Sequence, residues 1–341
     1  RFDAAIIYAL EHNMSIDDLN DLLEENSKER IMTTQKKTVY IIAGPTAVGK
    51  SVIANYLARR IHGEIVNCDS IQLYKYLDIG SAKPSPADMS TVPHHLYGVI
   101  DPKEDMTVAR YQKMALETID DVLARGKTPI LCGGTGLYLN SVLYDMDFAA
   151  EPADGGKRRR ELEDMAEQMG GEYMYEVLSA VDPKSAERIH PNNTRKVIRA
   201  IEAYEFGSNV QDLNACGLRE GYDFRLFGIT MDREWLYDRI NRRVLKLVQN
   251  GLLDEIKKLR EMGYDETAPA LKAIGYKEFF AYYNGEIPEL KDAILAVMKD
   301  TRHYAKRQLT WLKRYEGLIH WIEIQRNESV GTVVDRILSA E

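Results

Sequence analysis

Apolar residues run almost without interruption through TVYIIA, from Thr38 to Ala43. A β-branched run of this kind is the pattern of a strand covered on both faces, as in a parallel sheet. After GPTAVGKS the period changes, and VIANYLARRI spaces Val52, Ile53, Tyr56, Leu57 and Ile61 as one face of a helix. A second strand, EIVN, ends at Cys68-Asp69-Ser70, and residues 107–125 predict a helix closed by Gly126. TPILC predicts a third buried strand, which runs directly into Gly133-Gly134-Thr135-Gly136. Strands alternating with helices, with loops at the strands' carboxyl ends, predict a three-layer α/β/α fold around a parallel sheet.

The texture changes over 141–205, which is charged, helix-rich and poor in strand-like runs, and predicts a helical insertion domain. RLFGITM, at 225–231, restores the strand pattern, and helices are expected over most of the remaining chain. The expected division is an α/β core over 32–140 and 206–341, the insertion at 141–205, and an N-terminal helical extension over 1–31. In that extension Ser15 and Asp18 mark a helix start and Ile16, Leu19, Leu22 and Leu23 form one stripe. The extension is either native or an artefact of expression. Tyr173–Tyr175 and FFAYY, at 279–283, sit beside aliphatic residues at helical spacing and are assigned to core. Residues 206–221 read as a variable loop.

Composition narrows the classes. With 45% apolar and 29% charged residues in a chain of 341, the protein is globular and long enough to bury a proper core. A net charge of −8 excludes a polybasic coat, so any polyanion must be met by local basic patches. Cys68, Cys132 and Cys216 are too scattered for a disulfide framework or a zinc site, and the first two read as buried thiols. No run approaches the ~20 apolar residues of a membrane span. No basic leader precedes AAIIYAL, and cytoplasm is the expected location.

Gly44, Pro45, Thr46, Ala47, Val48, Gly49, Lys50 and Ser51 match G-x-x-x-x-G-K-[ST] in full, between a predicted strand and a predicted helix. The glycines let successive N–H groups turn toward one anion, and the adjoining helix adds its positive end. Lys50 supplies a mobile cation and Ser51 a hydroxyl for Mg²⁺. The fold expected is therefore P-loop NTPase-like. ATPase motors add an acid at the end of a further apolar strand, yet PILC runs into Gly133-Gly134 without one. Asp69 is the carboxylate at a strand end, where doubly wound sheets hold ligands. It can take a proton from an acceptor, orient Mg²⁺, or cap a helix starting at NCDSIQLYK.

DSIQLYKYLDIGSAKPS, taken with GPTAVGKS, resembles the tRNA dimethylallyltransferases, also called the tRNA isopentenyltransferase or IPP transferase family. VPHHLYGVIDP, ARYQKMA, GGTGLYLNSV, HPNNTRKVIRAIE, LYDRINRRV, GLLDEIKKL, KAIGYKEF and KRQLTWLKRY occur in the family's order, so the resemblance spans about 36–325. It implies transfer of the dimethylallyl group of dimethylallyl diphosphate to the exocyclic amine of the adenine 3′ of the anticodon. The P-loop then grips a leaving diphosphate, with Mg²⁺ near Ser51, which stands where many relatives carry threonine. Asp69 matches the family's catalytic base, and Arg239, from LYDRINRRV, its diphosphate-contacting arginine.

The resemblance also implies a tRNA surface. It includes Asp69, Ser70, Ile71 and Gln72, together with Thr135 of the GGTG loop. Arg195, Lys196 and Arg199 form a basic stripe, and Arg159 heads the insertion. Lys272 and Lys277 flank AIGY. RHYAKRQLTWLKR carries Lys306, Arg307, Gln308, Trp311 and Lys313 with no acid, a composition suited to backbone phosphates and stacked bases. His190, before Pro191, reads as helix-start structure. The expected partners are a tRNA anticodon stem-loop and dimethylallyl diphosphate, with no membrane, for a protein working as a monomer. A small-molecule P-loop kinase with Asp69 as base, or a nucleotide-binding adaptor, is the alternative.

Overall fold

The computed structural model describes residues 37–146, 148, 157–206 and 216–340; the expected extension at 1–31 and most of the variable loop at 206–221 lie outside them. Six strands form one sheet: β1 (Lys37–Ala43), β2 (Gly63–Cys68), β3 (His94–His95), β4 (Thr128–Gly133), β5 (Tyr222–Thr230) and β6 (Ile319–Glu323). All pairings are parallel and the order is β3-β2-β4-β1-β5-β6. Ile41 lies opposite Leu131 on one side and Leu226 on the other. Because side chains alternate, the central strands feed two cores. Val39, Ile41, Val66, Leu131 and Leu226 serve one face, and Tyr40, Ile42, Ile65, Ile130 and Phe227 the other.

Thirteen α-helices occur among the described residues. α1 (Lys50–Ile61), α2 (Pro86–Thr91), α3 (Val108–Ala124) and α4 (Gly136–Leu143) lie between or just after the first strands. Thr107 caps α3 through its side chain, and Gly126 beyond it adopts φ 69, as the sequence predicts. α1 is rotated from the expected face. It buries Ile53, Ala54, Leu57 and Ala58, while Val52 is 59% and Tyr56 38% exposed. The alanines, invisible to a search for large apolar residues, let the helix lie close on the strands. β6 departs from the helix expected there. It is an edge strand with Trp321 and His320 exposed, so its burial gives no strand-like period.

α5 (Lys157–Met169), α6 (Gly171–Val181), α7 (Pro183–Arg188) and α8 (Thr194–Glu205) enclose their own core of Leu162, Met174, Leu178, Val197 and Ile201. The chain leaves and rejoins the sheet through one staple: Asp145 N–H donates to Gly217 O at 2.9 Å, and Arg219 N–H to Leu143 O at 2.8 Å. α9 (Arg233–Gln249), α10 (Leu252–Glu261), α11 (Lys277–Tyr283), α12 (Leu290–Leu312) and α13 (Val330–Ser339) complete the outer layers.

Candidate diphosphate and nucleic-acid site

The cradle forms where β1 ends. A Cβ at Gly44 would lie 2.6 Å from Ile229 O, so only glycine lets the loop leave the sheet here. Ala47 (φ 66) and Gly49 (φ 110) then take left-handed backbone, which curls the loop back on itself. Thr46 N–H is engaged by Gln308 Oε1 at 2.8 Å, and Val48 N–H by Pro45 O at 3.4 Å. The N–H groups of Ala47, Gly49, Lys50 and Ser51 meet no acceptor among the described residues, and they open at the positive end of α1. Lys50 Nζ donates to Pro45 O at 2.8 Å. Burial lowers its pKa to about 8, with Cys132 and Asp69 pulling the other way.

Asp69 sits at the end of β2. Its N–H bonds Asn67 Oδ1 at 2.9 Å, and its Oδ1 accepts Ile71 N–H at 3.0 Å. Residues 70–73 are turn rather than helix, so the capping alternative resolves into an Asx-type turn. The second carboxylate oxygen has no partner among the described residues. Asp69 acts electrostatically on Lys50, Arg243 and Tyr304, which places it between the cradle, α9 and α12. Thr135 Oγ1 accepts Ser70 N–H at 3.0 Å and so holds the residue next to Asp69. A Cβ at Gly133 would meet Cys68 O at 2.1 Å, which explains why β4 ends in glycine where a motor would carry an acid. Burial pushes the Cys68 and Cys132 thiols up to about 12, so both are inert core groups. Gln72 is buried and donates to Ser81 O and Ala82 O, each at 3.0 Å, folding the loop rather than facing outward. Ile71 packs against the core.

α9 brings two arginines to the cradle at i and i+4, one face of a helix. Arg239 Nε donates to Ala47 O at 3.0 Å, and its guanidinium stands 5.7 Å from the Trp235 ring centre. Arg243, one turn further, is half-buried and makes no ion pair among the described residues, although Asp69 and Lys50 both feel its charge. Desolvation and the nearby Arg239 lower its pKa, with Asp69 opposing. The sequence singles out Arg239 and misses Arg243; their four-residue spacing is the available signal.

α12 divides its polar residues by face. Gln308 is buried, and Trp311 lies on Gly136, where a Cβ would come within 2.3 Å of its ring. Lys306, Arg307, Lys313 and Arg314 are exposed, with Arg307 5.8 Å from the Tyr304 ring centre and Arg314 4.6 Å from that of Trp311. On α8, Arg195, Lys196 and Arg199 are exposed and make no ion pair among the described residues. Arg159 instead pairs with the buried Glu202. Lys272 is exposed, and Lys277 pairs with Asp300 at 3.0 Å. His190 Nδ1 accepts Asn192 N–H at 3.2 Å just before Asn193 caps α8, a structural role as expected. Of the aromatic clusters, Phe279 and Phe280 are core, but Tyr283 and Tyr173 are exposed, because each lies past the edge of its helix's apolar face.

A glycine cradle after β1, a lysine and an unpaired arginine over it, and a carboxylate at the end of β2 define a P-loop-type α/β protein whose geometry suits an anion such as a phosphate ester. Family models sharpen this: "IPP transferase" matches residues 72–315 and "Isopentenyl transferase" residues 37–105. The chain belongs to the IPP transferase family. It is 45% identical over 305 residues to the tRNA dimethylallyltransferase of Alkaliphilus oremlandii, covering 89% of this chain and 96% of that protein. The tRNA dimethylallyltransferase of Acetivibrio thermocellus is 43% identical over 302 residues, covering 88% and 96%. The crystal structure of the tRNA isopentenylpyrophosphate transferase of Bacillus halodurans superposes with a TM-score of 0.66 at 39% identity, covering 90% of this chain and 96% of that one. A eukaryotic dimethylallyltransferase acting on tRNA gives 0.73 at 30% identity, covering 84% and 74%. The small-molecule kinase alternative finds no support among these relatives.

Proposed function

We propose that this protein transfers the dimethylallyl group of dimethylallyl diphosphate to the exocyclic amine of the adenine 3′ of a tRNA anticodon, acting as a monomer in the cytoplasm. The observation that carries the reading is the free carboxylate oxygen of Asp69, whose charge acts on Lys50 and Arg243 of the cradle, in a chain of this family. The amine nitrogen attacks C1 of the dimethylallyl group, the C1–O bond breaks, and diphosphate leaves with the bonding electrons. The amine proton passes to Asp69. An adenine amine is a weak nucleophile, and a positioned carboxylate typically contributes about 10²–10⁴-fold. The free amides of the loop, Lys50 and Arg243 meet the charge that develops on the leaving diphosphate, while Arg239 braces the loop through Ala47 O.

Ser51, exposed at the start of α1, offers one hard oxygen, and no group of three His, Cys, Asp or Glu among the described residues can hold a metal alone. The donor set fits Mg²⁺ only as an ion carried partly by the diphosphate's own oxygens, where it would add to charge neutralisation. The target adenine must be turned out of its stack to reach Asp69, at a cost of a few kcal/mol offset by contacts in the pocket. Arg195, Lys196 and Arg199 on α8 and the exposed cations of α12 grip the anticodon stem-loop backbone, with Thr135 and Ser70 beside the base.

Incubation with radiolabelled dimethylallyl diphosphate and bulk tRNA tests the reading: label enters RNA, and Asp69→Asn lowers kcat by at least about 10²-fold with little change in tRNA affinity. Unlabelled RNA with the native protein ends the proposal. A parallel loss of tRNA binding in Asp69→Asn makes Asp69 a contact residue instead of the base.

A further inference from the structure

Gln308, like Gln72, is expected to touch tRNA but is turned inward, and it alone of the two bridges the cradle loop to the loop after β4. It is 4% exposed and both ends of its amide are engaged: Oε1 accepts Thr46 N–H at 2.8 Å, and Nε2 donates to Gly134 O at 3.0 Å. The fit leaves no slack, since a Cβ on Gly134 would lie 2.2 Å from Nε2. Thr46 belongs to the cradle, inside the turn that Val48 N–H closes onto Pro45 O. Next to Gly134 in the chain is Thr135, whose hydroxyl holds the backbone beside Asp69. Gln308 itself belongs to α12, whose Lys306 and Arg307, with Lys313 just past its end, form the exposed basic face. Three parts of the site therefore meet at one side chain: the donor cradle, the loop that steadies the base, and the helix expected to grip RNA.

We propose that Gln308 is a positioning residue that makes diphosphate binding in the cradle and RNA binding along α12 cooperative. Among the described residues the anion in the cradle has four free N–H groups to gather, those of Ala47, Gly49, Lys50 and Ser51. Closing these donors on an anion moves the segment that contains Thr46. Thr46 N–H is fixed to Gln308, so any such movement is handed to α12 and, through Gly134, to Thr135 and Ser70. A well-packed core passes such shifts on instead of absorbing them. Coupling of this kind is reciprocal: whatever factor the diphosphate applies to RNA affinity, RNA applies to diphosphate affinity. In the free protein the two hydrogen bonds hold α12 in place; with the cradle filled, the same bonds select the helix position that RNA meets. Nothing in this scheme needs Gln308 to touch either ligand.

The inference rests on the proposed function, because it assumes that a diphosphate and an RNA occupy these two surfaces. The experiment uses the full chain, inorganic diphosphate with Mg²⁺ as the donor-site probe, and an anticodon stem-loop RNA. Each is titrated alone and then in the presence of saturating amounts of the other. The native protein is expected to bind the RNA about tenfold more tightly with diphosphate present, within the usual range of roughly 5–150-fold for coupled sites. Gln308→Met keeps the length of the side chain and removes both hydrogen bonds. It should bind each ligand alone within about threefold of the native protein and show coupling of no more than about twofold. Gln308→Glu keeps the acceptor for Thr46 and sets an oxygen against Gly134 O. It serves if the methionine variant melts early, and it should also lose most of the coupling. Native-strength coupling in a folded variant, or none in the native protein, overturns the inference. Failure of diphosphate or RNA to bind at all strikes the proposed function instead, so the two failures are told apart.

Discussion

Arg159 and Arg243 are both half-buried arginines on helices, yet their surroundings differ completely. In the insertion, Arg159 meets Glu202, a carboxylate only 4% exposed, and its neighbour Arg158 is held by Glu205 at 2.7 Å. In the core, Arg243 has no acid within ion-pair distance among the described residues; Asp69 acts on it only from further off, and its neighbours include two further cations, Lys50 and Arg239. A paired cation has its charge compensated within the fold. An unpaired, desolvated one is destabilising until an anion arrives, and that is the signature of a ligand site. The difference separates a scaffold that happens to be basic from a site built to receive negative charge.

The largest expected effect tests that separation directly. Arg243→Ala should lower kcat/KM for the donor by about 10²–10³-fold, the usual loss when one charge-stabilising donor is removed from a developing anion. Arg159→Ala should leave it unchanged, and Arg239→Ala should fall between, because its Nε is already engaged with Ala47 O. Steady-state kinetics at varied donor and saturating tRNA decide the order. An equal loss at Arg243 and Arg159 would break the comparison.

The core of this arrangement is legible in the sequence, and the reasons are local. GPTAVGKS fixes a backbone shape by glycine placement, and TVYIIA fixes a strand by composition, so both survive any tertiary context. Asp69 is legible because strand ends in doubly wound sheets converge. Arg243 is not, since its role depends on having no ion-pair partner, and absences in space leave no mark on spacing. Gln308 is visible as part of a basic block, but only packing could turn its side chain inward. β6 escapes for a similar reason: its strand character comes from pairing with β5, and its exposed Trp321 and His320 hide the alternation. On α1 a residue-size rule favours Val52 and Tyr56 over the alanines that make the contact.

A medium effect sharpens the electrostatic side. Lys50 titrates near 8 in the free protein, against 10.5 for an ordinary lysine, because burial disfavours its charge. Below about pH 8 the cation is present for the diphosphate, and above it the neutral form grows. Donor affinity should therefore weaken by up to about tenfold per pH unit above pH 8. The stability of the ligand-free protein should change oppositely through this group. Between 8 and 10.5 the unfolded chain holds the proton that the folded chain releases, so the Lys50 contribution becomes more favourable as pH rises. Calorimetric titration of diphosphate from about pH 7 to about pH 9.5 reads the first trend, and a flat profile would remove Lys50 from the contact.

The smallest effects distinguish RNA contacts from scaffold within the basic residues themselves. Arg307→Ala and Lys313→Ala should each reduce the slope of log affinity against log salt for tRNA by up to about 0.9. They should leave the melting midpoint nearly unchanged, since both side chains are exposed. Arg159→Met should do the reverse, lowering stability by about 1 kcal/mol with the salt slope intact. Removing one partner strands Glu202 in the interior, though the half-exposed position of Arg159 tempers the cost. The double variant Arg159→Met with Glu202→Gln should recover much of that loss, because no uncompensated charge is left behind. If Arg159→Met instead flattens the salt slope while the double variant stays unstable, the insertion's ion pair opens to RNA, and the distinction between the two arginines lies in what they bind and not in whether they bind.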